Sequence, residues 1–150
     1  MGTFGGSAST EIEAHIDVVF EVAADGEGAT RWQTEIDVAE CIERDADGNQ
    51  LVVRMETETS IKRLRSTLRY SYEEPHRVSW AQEDGDLKSV VGSWELEDLG
   101  DGRTRVTYSL EADPGRILGL AIRGPVVGVL RGRMVDSMPD KLKAFVEGSA

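Results

Sequence analysis

Apolar residues recur along this chain with two different periods, and each stretch of the chain keeps to one of them. Between about residues 35 and 113 the period is two. Ile36, Val38 and Ile42 alternate with polar neighbours, and Leu51, Val53, Met55, Thr57, Thr59 and Ile61 alternate with Val52, Arg54, Glu56 and Glu58. The pattern returns in Leu68, Tyr70 and Tyr72, in Val78, Trp80 and Gln82, and in Val90, Gly92, Trp94 and Leu96. Its last occurrence is Thr104, Val106, Tyr108 and Leu110. Such alternation marks strands with one face toward a core and one toward water. Polar turns rich in Asp, Gly or Pro punctuate the runs at 45–49, 73–76, 83–86, 98–102 and 113–115. An earlier strand is expected over 5–14, where Ala8, Thr10 and Ile12 alternate with Ser9, Glu11 and Glu13.

The other period is helical. Ile16, Val19, Phe20 and Ala23 share one face of a short helix that opens near His15, and a second helical turn is expected over 29–33. Near the end of the chain, Val127, Leu130, Met134, Met138, Leu142 and Phe145 follow one another at mostly three- and four-residue steps. They make one apolar stripe on a helix over 126–146, with Arg131, Arg133, Asp136, Asp140 and Lys143 largely opposite. Pro139 has no N–H to donate and is expected to kink that helix.

The predicted order is therefore strand, two short helices, about six strands and one long helix. This is an α+β chain forming a single domain over 1–150, with residues 1–6 expected to be flexible. Consecutive strands joined by short turns form an antiparallel meander. A sheet with one apolar face and a helix with one apolar stripe bury each other when the sheet curls around the helix.

In such a meander alternate connections lie at the same end. The turns at 45–49, 73–76 and 98–102 share an almost wholly polar end. The other end collects Ile61, Leu64, Leu87, Ile117, Leu118, Leu120 and Ile122, interspersed with basic residues. Either these residues plug the core, or they rim a pocket whose arginines, Arg63, Arg65, Arg116 and Arg123, meet an anionic head group. Inward parity also includes Thr57, Thr59, Gln82, Tyr70, Tyr72 and Tyr108, polar groups that need partners if buried. A cavity with converging hydroxyls supplies them. Its expected lining is Trp32, Met55, Thr57, Thr59, Tyr70, Tyr72, Trp80, Val90, Trp94, Tyr108, Leu118, Leu130, Met134 and Met138.

Composition narrows the choice of partners. The formal net charge is −11 over 150 residues, which disfavours nucleic acid and simple electrostatic attachment to an anionic membrane. Cys41 is the single cysteine, so an internal disulfide is excluded. The start of the sequence lacks the pattern of a signal peptide, and no run approaches the roughly 20 apolar residues of a membrane span. The expected setting is the cytoplasm, as a monomer or homodimer, with at most transient membrane contact.

Catalytic candidates are few. No His, Cys or carboxylate spacing suggests a metal site, and no cofactor motif is present, so neither metal nor cofactor is expected. Tyr70 and Tyr108 could serve as acids toward a carbonyl, or simply pack in the sheet. Glu40 shares the parity of Val38 and Ile42. Buried there it would be a general-base candidate; turned outward by a bulge it would be a surface carboxylate.

Several segments resemble a known family: Trp32-Gln33-Thr34-Glu35-Ile36, Tyr70-Ser71-Tyr72 with Pro75 and Val78-Ser79-Trp80, and Gly92-Ser93-Trp94-Glu95-Leu96 followed by Gly102-Arg103-Thr104-Arg105-Val106. Together with the element order they are similar to polyketide cyclase/dehydrase-type proteins of the START-like, or helix-grip (SRPBCC), superfamily, over about residues 7–147. The resemblance implies a helix-grip fold, with a seven-stranded antiparallel sheet around a long C-terminal helix and a hydrophobic cavity between them. Members bind lipids, sterols, polyketides, plant hormones or quinones, and some are enzymes. His15 departs from the usual Pro at the first helix, and Pro139 interrupts the last one. The implied function is binding or carriage of a lipid, polyketide or quinone-like molecule. A polyketide cyclase/dehydratase is the alternative, and a ligand-free protein-interaction module a second.

Overall fold

The computed structural model describes residues 3–59 and 62–148. Ile61, placed by its parity at the apolar end, lies outside the described residues, as do residues 1 and 2 of the terminus expected to be flexible. Strand β1 (Phe4–Ile12) takes residues 4–6 of that terminus into the sheet. Residues 4–6 pair with residues 110–112, and Phe4 is buried against Leu87, Ala112 and Leu130.

Helix α1 (Ile16–Ala23) and a 3-10 turn (Glu27–Arg31) follow, then strands β2 (Ile36–Arg44), β3 (Gln50–Glu58), β4 (Arg63–Glu73), β5 (Arg77–Gly85), β6 (Ser89–Gly100) and β7 (Arg103–Asp113). The sheet has the order β1-β7-β6-β5-β4-β3-β2, with every neighbouring pair antiparallel. From β2 to β7 each strand lies beside its successor in sequence, the connection with the least loop entropy. Only β1 breaks this rule. It starts at the edge opposite β2, so the segment between them must cross the concave face, and α1 packs there on β5, β6 and β7. His15, in place of the proline implied by the resemblance, caps α1: its Nδ1 accepts the N–H of Asp17 at 3.2 Å.

Strict alternation fails in β2. The register shifts between residues 36 and 38 and again over 41–44. One extra residue in a strand reverses the parity of everything after it. Ile36 and Ala39 consequently pack on the core, whereas Ile42 is 54% exposed. Glu40 turns to solvent and pairs with Arg54 at 3.3 Å. It is not a buried base.

After β7 come α2 (Gly115–Gly119), α3 (Pro125–Arg131), a π-helical turn (Gly132–Asp136) and α4 (Met138–Gly148). The long C-terminal helix thus runs over 125–148 with one irregular turn, which falls before Pro139 rather than at it. Ser137 donates its N–H to the carbonyl of Gly132 at 3.0 Å, a five-residue step. Pro139 sits in the first turn of α4, where its missing N–H is least needed.

The sheet holds α4 at both edges. Val135, Leu142 and Val146 are buried among Ile12, Val19, Val53 and Val106, each worth roughly 1.5–3 kcal/mol of apolar burial. At the β1 edge, Lys143 donates to the Glu11 carbonyl at 2.8 Å and Glu147 accepts the N–H of Glu13 at 2.9 Å. Across the sheet, Lys141 Nζ lies 2.8 Å from both carboxylate oxygens of Glu35, just before β2.

Candidate functional site: a cavity between sheet and helix

The sheet and helix leave a cavity of about 140 Å³ between them. Its aromatic wall is built strand by strand. Trp94 on β6 stands directly opposite Tyr108 on β7, and Trp80 on β5 opposite Tyr70 on β4. With Trp32, which follows the 3-10 turn, these rings form a continuous chain. Centroid separations are 6.1 Å for Trp32–Trp94, 4.6 Å for Trp94–Tyr108, 5.8 Å for Tyr108–Trp80 and 5.7 Å for Trp80–Tyr70. Gly92 makes room for it. A Cβ there would lie 2.5 Å from two atoms of the Trp80 indole, which covers the glycine from the neighbouring strand.

Of the lining expected from sequence, Trp32, Met55, Thr57, Thr59, Tyr70, Trp80, Val90, Trp94, Tyr108, Leu130, Met134 and Met138 all border the cavity. Two do not. Tyr72 stacks on Tyr70 at 6.2 Å and gives its hydroxyl to the Gln50 carbonyl. Leu118 packs instead against the small cluster of Phe4, Leu87, Ala112 and Leu130.

The arginines separate in the same way. Arg65 borders the cavity, with Asp86 3.7 Å away. Arg63 is not on the rim: Asp37, Glu56 and Glu58 hold it at 2.6, 2.8 and 2.9 Å, and these carboxylates push its pKa up further. Arg116 and Arg123 are exposed on and after α2 and do not line the cavity. Arg133 does, although the helical stripe placed it on the polar side; it lies in the π-helical turn, whose extra residue rotates its position. Nothing in the periodicity signals that rotation. Leu64 and Leu87, expected at the apolar end, also line the cavity, as do Leu110 and Ala112, for which the inward parity of β7 was the available signal.

Most polar lining groups are satisfied by protein. Gln82 accepts from Ser66 Oγ and donates to the Leu87 carbonyl, both at 2.8 Å. Thr59 bridges to the backbone of Lys62. The Asp25 carboxylate accepts from Gly28, Gln50 and Arg31. Burial would raise the pKa of Glu35, but the hydrogen bond and charge of Lys141, its own backbone N–H and the Thr34 hydroxyl hold it below the ordinary value.

Tyr70 and Tyr108 differ. Both are buried, both border the cavity, and neither hydroxyl has a protein partner among the described residues. No described side-chain nitrogen or oxygen is both sealed from solvent and unpartnered, so these hydroxyls face open space. Burial raises both pKa values, with the neighbouring Tyr72, Tyr108 and Asp25 adding to the effect on Tyr70. They remain protonated, as hydrogen-bond donors aimed into an apolar chamber. Among the described residues no cluster of His, Cys, Asp and Glu could hold a metal, and no helix is long and apolar enough to cross a membrane.

A seven-stranded antiparallel sheet closed on a C-terminal helix over an aromatic cavity defines a helix-grip domain. The chain belongs to the family described as polyketide cyclase / dehydrase and lipid transport, whose model matches residues 4–147. Among solved structures, a START superfamily protein from Mycobacterium smegmatis is 19% identical with a TM-score of 0.84, over 100% of both chains. A protein from Thermus thermophilus is 21% identical with a TM-score of 0.82, over 97% of this chain and 99% of its own. The ZhuI aromatase/cyclase of a Streptomyces species is 18% identical with a TM-score of 0.79, over 97% of this chain and 94% of its own. At these identities the likeness concerns the fold. No curated protein matches the sequence.

Proposed function

We propose that this protein binds and carries a hydrophobic small molecule, a lipid, polyketide or quinone-like compound, with a ring or chain end in the aromatic cavity. The observation that carries the proposal is the pair of hydroxyls, Tyr70 and Tyr108, that have no protein partner among the described residues and stand in an apolar wall. No described protein group engages either donor, so a ligand carbonyl or hydroxyl set against one of them gains a hydrogen bond inside an apolar wall.

Cavity size limits what fits. At about 140 Å³ it matches an engineered 150 Å³ cavity that admits benzene, and it is smaller than the roughly 300–1,000 Å³ of drug-sized sites. One ring would bury roughly 150 Å² of apolar surface, about 4 kcal/mol before the cost of association. That alone gives affinity no better than about millimolar. A tighter ligand must extend past the ring and displace Met134 and Met138, whose flexible side chains suit them to yield.

Among the described residues the cavity offers donors but no free base, since its three lining carboxylates, Asp25, Glu35 and Glu58, are all engaged. Hydroxyls with raised pKa values are also poorly matched to proton transfer near neutrality. Both points favour carriage over a cyclase or dehydratase. The proposed setting is the cytoplasm, where the lone Cys41 needs no partner.

All three tryptophans line the cavity, so intrinsic fluorescence reports its occupancy. Titration with a naphthol and with longer aryl or acyl compounds is expected to change that emission, and native mass spectrometry of the purified protein to show co-purifying ligand mass. A protein that carries no ligand mass and whose tryptophan emission responds to none of these compounds would overturn the proposal.

A further inference from the structure

The exposed residues of the cavity lining, Glu58, Arg65 and Arg133, mark its mouth, and the segment that leads to Arg133 is charged unlike the rest of the chain. Residues 114–135 contain Arg116, Arg123, Arg131 and Arg133 and no Asp or Glu, in a protein of formal net charge −11. None of the four has a carboxylate partner among the described residues. The adjoining strands and loops, by contrast, pair their charges internally: Arg65 with Asp86, Lys88 with Asp113, and Arg69 with Glu83.

The same segment exposes large apolar side chains. Ile117 is 85% exposed, Leu120 62% and Val129 46%. Beneath them, Leu118, Ile122, Val126 and Val127 pack on the small cluster of Phe4, Leu87, Ala112 and Leu130. The segment therefore has two apolar sides. One packs on the cluster whose Leu87, Ala112 and Leu130 line the cavity, and the other is exposed in a stretch that carries the arginines.

Three partners could cover that outer side. A second copy would set four unpaired arginines against four more, which opposes association. A folded acidic protein would need a matching pocket around an isoleucine that has almost no protein of its own around it. A bilayer interface deforms around such a side chain, and anionic headgroups complement the arginines. Overall acidity is only a weak obstacle, because charges more than about 8 Å away are largely screened at physiological ionic strength.

We infer that the mouth segment docks on the headgroup region of an anionic phospholipid bilayer. Ile117 and Leu120 enter the interface, Arg116, Arg123 and Arg131 meet the phosphates, and the mouth of the cavity faces the membrane. This deepens the carrier reading by making the bilayer the place where ligand is exchanged. Docking itself does not require an occupied cavity.

The test is flotation of the full chain with phosphatidylcholine vesicles containing about one-third phosphatidylglycerol, beside vesicles of phosphatidylcholine alone. The protein is expected to float with the anionic vesicles only, and less as salt rises. Arg116→Gln and Arg123→Gln should each lower partitioning about fivefold. Ile117→Ser with Leu120→Ser should lower it more than about tenfold. These side chains are exposed, so all variants should keep the parent's circular dichroism and thermal midpoint. Tryptophan titration of the same variants separates the two readings: ligand binding without flotation sinks the docking inference alone, and flotation without ligand binding sinks carriage alone. The inference is overturned by absence of flotation at low salt, or by flotation that the variants leave unchanged. Self-association through Ile117 and Leu120, or binding confined to a purified acidic protein domain, would overturn it equally.

Discussion

Gly92→Ala is a small change whose sign depends on one neighbour. On an extended strand, alanine in place of glycine normally gains roughly 0.5–1 kcal/mol, because glycine loses more freedom on folding. Here the new Cβ would sit 2.5 Å from Cε2 and Nε1 of Trp80 and 2.6 Å from Cζ2. Comfortable carbon contacts begin near 3.5 Å, so the indole must retreat by about 1 Å. Tyr70 and Tyr108 flank that ring at 5.7 and 5.8 Å, so it can retreat only into the cavity. Overpacking of this kind costs about 1–3 kcal/mol. The net expectation is a loss of roughly 1–2 kcal/mol, lowering the thermal midpoint by roughly 2–8 °C. Thermal melts followed by near-ultraviolet circular dichroism measure this directly, and tryptophan emission reports the displaced ring. The decisive arm is a double-mutant cycle. In a Trp80→Leu background the clash is gone, and Gly92→Ala should become neutral or stabilising by about 0.5 kcal/mol. An effect of the same sign and size in both backgrounds would show that the indole is not what requires glycine there.

Two further predictions test the donors and the helix clamp. Tyr70→Phe and Tyr108→Phe keep the packed rings and remove the hydroxyls; each should leave the fold intact and weaken ligand binding about three- to tenfold in the tryptophan titration, the worth of one hydrogen bond. Lys141→Met should lower stability at neutral pH by roughly 1–2 kcal/mol in urea melts, since it strands the Glu35 carboxylate. It should also flatten the acid limb. A carboxylate with a depressed folded pKa contributes stability that is fully present above its ordinary value of 4.5 and is lost as pH falls through the folded value. Parent and variant stabilities should therefore converge as pH falls below 4.5 and through that folded value. A constant difference from pH 7 to pH 3 would show that the pair's charge is not what clamps the helix.

Charge illustrates how a total can mislead about a surface. A net charge of −11 argues against a basic binding face, yet the negative charge is unevenly distributed. Many carboxylates are spent in ion pairs on strand surfaces, as around Arg63, Arg105 and Arg69. The mouth segment has none. Because screening makes only nearby charges count, the local list of residues is more informative than the sum.

The residues alone determined the parity of β3 to β7, the polar turns and the apolar stripe of the last helix. Each of these follows from spacing along the chain: alternation of two for strands, three and four for helices. They were sufficient for the fold and for most of the cavity wall, including Trp80, Trp94, Tyr70 and Tyr108. Four things depended on atoms brought together from distant parts of the chain. A bulge in β2 reversed its parity, turning Glu40 out and Ala39 in. A π-helical turn before Pro139 brought Arg133 to the cavity. Neighbouring carboxylates decided that Arg63 is held on the outer surface while Arg65 remains at the cavity. The hydroxyl of Tyr72 found a backbone carbonyl, while those of Tyr70 and Tyr108 found no partner among the described residues. Periodicity says which way a side chain points when the register is regular. Only the tertiary structure shows where the register slips, and what each polar group meets when it arrives.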